Sequence, residues 1–195
     1  MADPKNIPGQ KYFNFVNKSE VPNDVRYKPK EKFPKKFLVW QAMDECGNVS
    51  EPYIKIGTMK AEEYKRECLQ KRLLPFILKH HSIDEILFWP DLATIHYEKN
   101  VQTWLKDNNI SYVARDKNPP NVPQARPIER YWFLCKEKYG QRSKPPKNLR
   151  GFKQIWLNLS KEIATRHAQS LMKNVRKRLK QIGDKGVYEE LKNKN

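Results

Sequence analysis

Two short apolar runs flank a stretch of helical periodicity in the middle of the sequence, and this order strongly limits the possible folds. The first run, 86–89, ends at Pro90 and Asp91, and the second is 111–113. Between them, the apolar residues of 97–108 recur at helical spacing. A strand, a helix and a second strand imply a parallel pair joined by a crossover. An unbroken run such as 86–89 is typical of a central strand buried on both faces, so we expect an α/β fold.

The preceding segment predicts a β-hairpin followed by a helix. An apolar run at 37–42 and an alternating one at 51–56 are separated by turn-forming residues at 44–48. Thr58 is the expected N-cap of the helix, whose buried side extends to Ile77. Pro75 is expected to kink or shorten this helix because it lacks a backbone N–H.

The second half of the chain predicts a loop and three helices. Prolines in 114–126 favour a surface loop, and Pro127 suits the first position of a helix. Two more helices are expected, one across 152–163 and a basic one from Thr165 to Gly183, packed on the domain. A chain of 195 residues is long enough for one domain, 1–195. We expect a core at 35–140, C-terminal helices at 148–183 and a poorly ordered segment at 1–34.

The charge balance points to a polyanionic partner. The chain contains 39 Lys and Arg against 22 Asp and Glu, a formal net charge of +17. Basic patches of this kind bind phosphate backbones by releasing counterions, so DNA is the expected partner, although a solvated basic surface explains the charge equally well. No membrane partner is expected, because the longest apolar run, 73–78, contains Pro75. Three widely spaced cysteines favour neither a disulfide framework nor a zinc site.

Two carboxylates occupy positions where chemistry is common in α/β folds. Asp91 directly follows the predicted strand 86–89, and Glu129 lies in the first turn of the helix that starts at Pro127. Functional groups collect at the carboxyl ends of strands, where two carboxylates can share divalent cations for phosphodiester cleavage. The alternative is purely structural: Asp91 caps the next helix and Glu129 complements a helix dipole.

The sequence around these carboxylates is specific. The segment 88–93 is followed by His96 and Tyr97, and 118–124 leads into 126–132. This pattern closely resembles transposases of the Tc/mariner superfamily. The 37 residues between the two acids, 92–128, match an insect-associated branch of that superfamily, and 38–42 and 67–77 are similar to it as well. The resemblance therefore covers nearly the whole chain.

The resemblance implies a ribonuclease H-like fold, a mixed sheet flanked by helices. It also implies an Asp, Asp, Glu triad that binds two Mg²⁺ or Mn²⁺ ions, cuts transposon ends and joins them to target DNA in the nucleus. Asp91 matches the second triad position and Glu129 the third. The first Asp and its strand match nothing here, and Asp3 is a poor substitute because no strand-forming run precedes it. The family's N-terminal helix-turn-helix region has no match either.

Four further residues are candidate contacts to nucleic acid. His96 matches a family position near the active site, where it would contact DNA or support a catalytic group, unless it is a structural histidine. Lys117, Arg126 and Arg130 flank the expected site and could hold phosphate.

Because one strand and one carboxylate are unmatched, we expect weak or absent binding of Mg²⁺ or Mn²⁺ and no cleavage by the chain as printed. We also expect an unpaired sheet edge that favours a homodimer. The alternative function is a catalytically inactive nucleic-acid-binding module derived from a transposase. A basic RNA-binding or ribosome-associated protein would explain the charge but not the surroundings of Asp91 and Glu129.

Overall fold

The computed structural model describes residues 36–120 and 125–186. The expected disorder of 1–34, any role of Asp3 and part of the predicted loop lie outside these ranges. Within them the chain is a mixed α/β fold with two small sheets, as the order of apolar segments predicts.

The predicted hairpin is confirmed. Strand β1, Phe37–Trp40, pairs antiparallel with β2, Tyr53–Ile56. The turn between them uses Gly47 at φ +87°, a conformation that other residues rarely adopt. A Cβ at Gly47 would also overlap the backbone of Ala168 and Gln169, so glycine lets the turn approach the C-terminal helices.

The first helical run, α1, extends over Ala61–Glu63, Tyr64–Leu73 and Leu74–His80, with π-helical hydrogen bonding in its middle section. The prediction that Thr58 caps it is wrong. The N-cap is Lys60, whose carbonyl accepts the N–H of Tyr64, because the chain leaving β2 first passes through a turn at Gly57, φ +85°. Pro75 does not shorten the run, which continues for five residues to His80.

The predicted crossover is confirmed, although its strands are shorter than expected. Strand β3, Leu87–Phe88, pairs in parallel with β4, Ser111–Tyr112, and helix α2, Lys99–Asp107, connects them. The prediction that this strand is buried on both faces is wrong, since Leu87 is 65% exposed. The physical reason is that no element among the described residues covers the face of β3 from which Leu87 projects.

Helix α3, Pro127–Gly140, starts at the predicted proline. The expected break before Thr165 is wrong, because α4, Leu149–Ile163, continues through Ala164–Ala168 into Gln169–Met172. Thr165 does not cap a new helix: its hydroxyl donates to the carbonyl of Lys161, one turn back (3.0 Å), as threonine does inside helices.

The last helix of the described residues, α5, is Val175–Lys185. It ends at Gly186, φ +80°, and not at the predicted Gly183, because Gly186 supplies the left-handed residue that closes the final turn. None of its side chains is fully buried, but Val175, Leu179 and Ile182 of the predicted stripe are half-buried while its lysines are exposed, as expected of a basic amphipathic helix.

The hairpin separates two hydrophobic cores. One face contributes Phe37 and Ile54 to a core with α3 and α4, in which the ring of Phe37 stacks on Phe152 with centroids 4.1 Å apart. The opposite face directs Trp40 and Tyr53 toward a second core built by α1, α2 and β4. Alternating side chains of one two-stranded sheet thus join helices on both of its sides.

Candidate active site

Asp91 lies at the carboxyl end of β3 and its carboxylate is held in place. Oδ1 accepts a hydrogen bond from the N–H of Ala93 (2.8 Å) and lies 3.0 Å from Nε2 of His96. The hydrogen bond and charge of His96, the Ala93 N–H and the charge of Arg126 hold the pKa of Asp91 below its usual value, although partial burial raises it. The carboxylate is therefore ionised at neutral pH. The bond to Ala93 is an Asx turn that precedes a 3₁₀ helix, Thr94–Tyr97; the N-cap of that helix is Ala93, so Asp91 does not cap it as the structural alternative expected.

His96 is a buried residue that holds the carboxylate of Asp91 through Nε2. The ring is 8% exposed and meets the ring of Tyr64 edge-on, with centroids 4.7 Å apart. Because Nε2 faces Asp91 and the ring is buried, this geometry fits a histidine that positions the carboxylate better than one that touches DNA. Nδ1 is buried without a hydrogen-bond partner among the described residues.

The amide of Asn118 joins the Asp91 segment to the start of α3. This side chain is 3% exposed. Its Oδ1 accepts from Nε1 of Trp89 (2.9 Å) and Nη2 of Arg126 (2.8 Å). Its Nδ2 donates to the carbonyl of Pro90 (2.8 Å) and the hydroxyl of Tyr97 (2.7 Å). All four hydrogen-bonding positions of the amide are therefore used.

Glu129 is connected to this junction through the backbone. Its N–H donates to the carbonyl of Arg126 (3.0 Å), the residue that Asn118 also binds. Asp91 follows Pro90 on one side of Asn118, and Glu129 lies one helical turn beyond Arg126 on the other. Glu129 is exposed in the first turn of α3, where its charge also suits the helix dipole. The carboxylate makes no hydrogen bond or ion pair with the described residues.

The three candidate phosphate contacts occupy different settings. Arg126 is half-buried, with its guanidinium 5.6 Å from the ring centre of Trp89. Lys117 is exposed at the end of a 3₁₀ turn, Arg115–Lys117, directly before Asn118. Arg130 is exposed and lies over the ring of Phe133, 4.6 Å from its centre. Arg126 is thus the member of this set that contacts the Asn118 junction directly.

Sequence reasoning assigned no role to Asn118, Trp89 or Tyr97, although all three surround Asp91. The signal that could have found Asn118 is its type: it is an amide in a proline-rich loop between two candidate site residues. An amide beside Pro119 can satisfy carbonyls that prolines leave unpaired. Its partners could not be named, because two of them lie 28 and 29 residues earlier in the chain.

The chain matches no family model and no curated protein. Within 36–120 and 125–186 the structure places no three His, Cys, Asp or Glu side chains together as a metal-binding group. None of the described helices has the length and apolar character needed to cross a membrane.

Proposed function

We propose that this chain carries part of the catalytic core of a Tc/mariner-type DNA transposase, with a ribonuclease H-like fold that lacks the first strand. In this proposal the chain binds DNA in the nucleus. Asp91 and Glu129 are the second and third carboxylates of the triad. With the first carboxylate in place, the complete site would cut and join DNA strands.

The Asn118 junction carries this proposal. A two-metal site needs its carboxylates at fixed positions, and Asn118 ties Pro90, beside Asp91, to Arg126, one turn before Glu129. Asn118 thus ties the residue before Asp91 to the residue one turn before Glu129, although 37 residues separate the two acids.

The free atoms of the two carboxylates suit a hard divalent cation. Both described bonds of Asp91 go to Oδ1, which leaves Oδ2 available, and Glu129 has no partner among the described residues. Carboxylate oxygens are the ligands that Mg²⁺ and Mn²⁺ prefer. When bound, such ions would activate a water and stabilise the leaving oxygen. The residues around them orient the carboxylates: His96 holds Oδ1 of Asp91, and Asn118 holds its backbone.

The sheets also suit the proposed fold. Strands β1–β2 and β3–β4 form two separate pairs, and among the described residues neither β1 nor β3 has a partner on its second edge. An additional central strand could pair with those edges. The same edges would support the homodimer expected from the sequence.

Divalent-ion binding tests the proposed site. Mn²⁺ titrated into the full chain is followed by isothermal calorimetry, with Asp91→Asn and Glu129→Gln as the variants. Each should weaken Mn²⁺ binding about tenfold or more, because each removes one of two anionic ligands. Glu137→Gln is the matched control, since Glu137 is another exposed acid of α3 and should change nothing. Equal binding by Asp91→Asn, Glu137→Gln and the parent chain would contradict the shared site.

A further inference from the structure

An aromatic ring is exposed on the same helix face as Glu129. Phe133 is 52% exposed, whereas Tyr131 and Cys135 on the opposite side of α3 are fully buried. Residues four apart lie one above the other on a helix, so Phe133 and Glu129 are neighbours on this face. The guanidinium of Arg130 lies 4.6 Å from the centre of the Phe133 ring. A flat apolar group with a cation above it therefore adjoins the proposed carboxylate site.

The Arg130–Phe133 pair is one of several arginine–aromatic pairs in this region. Arg126 lies over Trp89, and Arg115 lies 5.7 Å from the ring centre of Tyr97. Trp89 and Tyr97 are fixed by hydrogen bonds to Asn118, so their polar ends are already used. Phe133 differs because its ring has no polar end to satisfy and half of it faces solvent.

We propose that Arg130 and Phe133 form a stacking platform for an unpaired DNA base next to the carboxylate site. This inference rests on the proposed function and adds that the site binds single-stranded DNA. Aromatic rings and arginine planes bind the faces of single-stranded bases, while nearby basic groups hold the phosphates. In a duplex those faces are covered by neighbouring base pairs, so an isolated ring on a helix surface cannot reach them.

The charges around Phe133 fit a nucleic acid strand better than an apolar partner. One turn N-terminal to it are Glu129 and Arg130, and one turn C-terminal are Lys136 and Glu137, all exposed. A single ring bordered by ions offers little continuous apolar surface to a protein, whereas a base needs only one ring. Although the charges beside Phe133 are mixed, the net charge of +17 on the whole chain favours a polyanion as the partner.

Fluorescence anisotropy separates this inference from general DNA binding. The full chain is titrated into a labelled 12-nucleotide single strand and, separately, into a 12-base-pair blunt duplex at low salt. Phe133→Ala and Phe133→Leu should each weaken single-strand binding about tenfold, because both remove the aromatic face. Phe133→Trp should retain it, and duplex binding should change less than about twofold in all three variants. Leu78→Ala is the control, since Leu78 is an exposed apolar side chain on α1, 61% exposed.

The outcomes distinguish the two proposals. Unchanged single-strand binding by Phe133→Ala, or an equal loss on single strand and duplex, would overturn the stacking platform while leaving DNA binding in place. Retained affinity in Phe133→Leu would overturn it as well, because leucine keeps the apolar surface without the ring. If the parent chain bound neither DNA, the proposed function and this inference would both fall.

Discussion

Replacing Asn118 by alanine should cost more stability than any other single amide replacement at the site. Four hydrogen bonds end on this buried side chain. At about 1 kcal/mol net for each bond, their loss amounts to about 4 kcal/mol. Trp89, Tyr97 and Arg126 are only half-buried, so water can replace some of these bonds, and we expect a loss of about 2–3 kcal/mol. That is a large share of the roughly 5–15 kcal/mol that stabilises a typical domain.

Urea unfolding followed by tryptophan fluorescence measures this loss, since Trp89 itself reports on the junction. The transition midpoint of Asn118→Ala should fall by about 1–2 M. Asn118→Asp keeps the oxygen that binds Trp89 and Arg126 but loses the donor to Pro90, so it should fall between the parent chain and the alanine variant. Asn158→Ala is the matched control: Asn158 is exposed on α4 with one long bond to Gln154 (3.3 Å), and should shift stability by less than about 0.5 kcal/mol. An Asn118→Ala variant as stable as Asn158→Ala would refute the reasoning.

Four other outcomes are expected. His96→Phe should raise the pKa of Asp91 toward its usual value, measured by carboxyl carbon NMR. Because folding lowers this pKa, the ionised Asp91 stabilises the folded chain above the unfolded-state pKa. That stabilisation is lost as the pH falls through the native pKa. A pKa that stays low without the imidazole would disprove the role of His96. Phe152→Ala should destabilise the chain by about 3–5 kcal/mol in urea, because the ring is fully buried against Phe37; a cost below about 1 kcal/mol would contradict that packing. Supercoiled plasmid should not be nicked with Mn²⁺, because two carboxylates cannot easily replace three, and nicking that disappears in Asp91→Ala would contradict this. Retention on DNA should fall steeply with salt, and equal retention at low and high salt would count against a phosphate-binding surface.

Local signals in the sequence predicted the elements that depend on neighbouring residues. Turn chemistry around Gly47 gave the hairpin, and Pro127 gave the start of α3, because both act through their own backbone angles. The position of Asp91 at the end of β3 followed from the apolar run before it.

What the sequence could not provide depends on contacts between distant residues. Thr165 can cap a helix or bond to the preceding turn, and the packing of Ala168 against the rest of the chain decides between them. Likewise, the exposure of Leu87 depends on which elements pack against that face of β3, which a run of apolar residues does not specify. The partners of Asn118 belong to the same class, since they come together only in the folded chain.

The π-helical section in the middle of α1, Tyr64–Leu73, limits how many residues this helix can contain. Its buried side chains are Tyr64, Cys68, Leu69, Leu73 and Ile77, so one face stays buried through a section whose π-helical turns are wider than the 3.6 residues of an ordinary turn. Insertion of one more residue at 65–67 would turn everything downstream by about 100°. Ile77 would then leave the core and polar neighbours would enter it. Insertions should therefore be tolerated in the connections on either side of this helix but not within it.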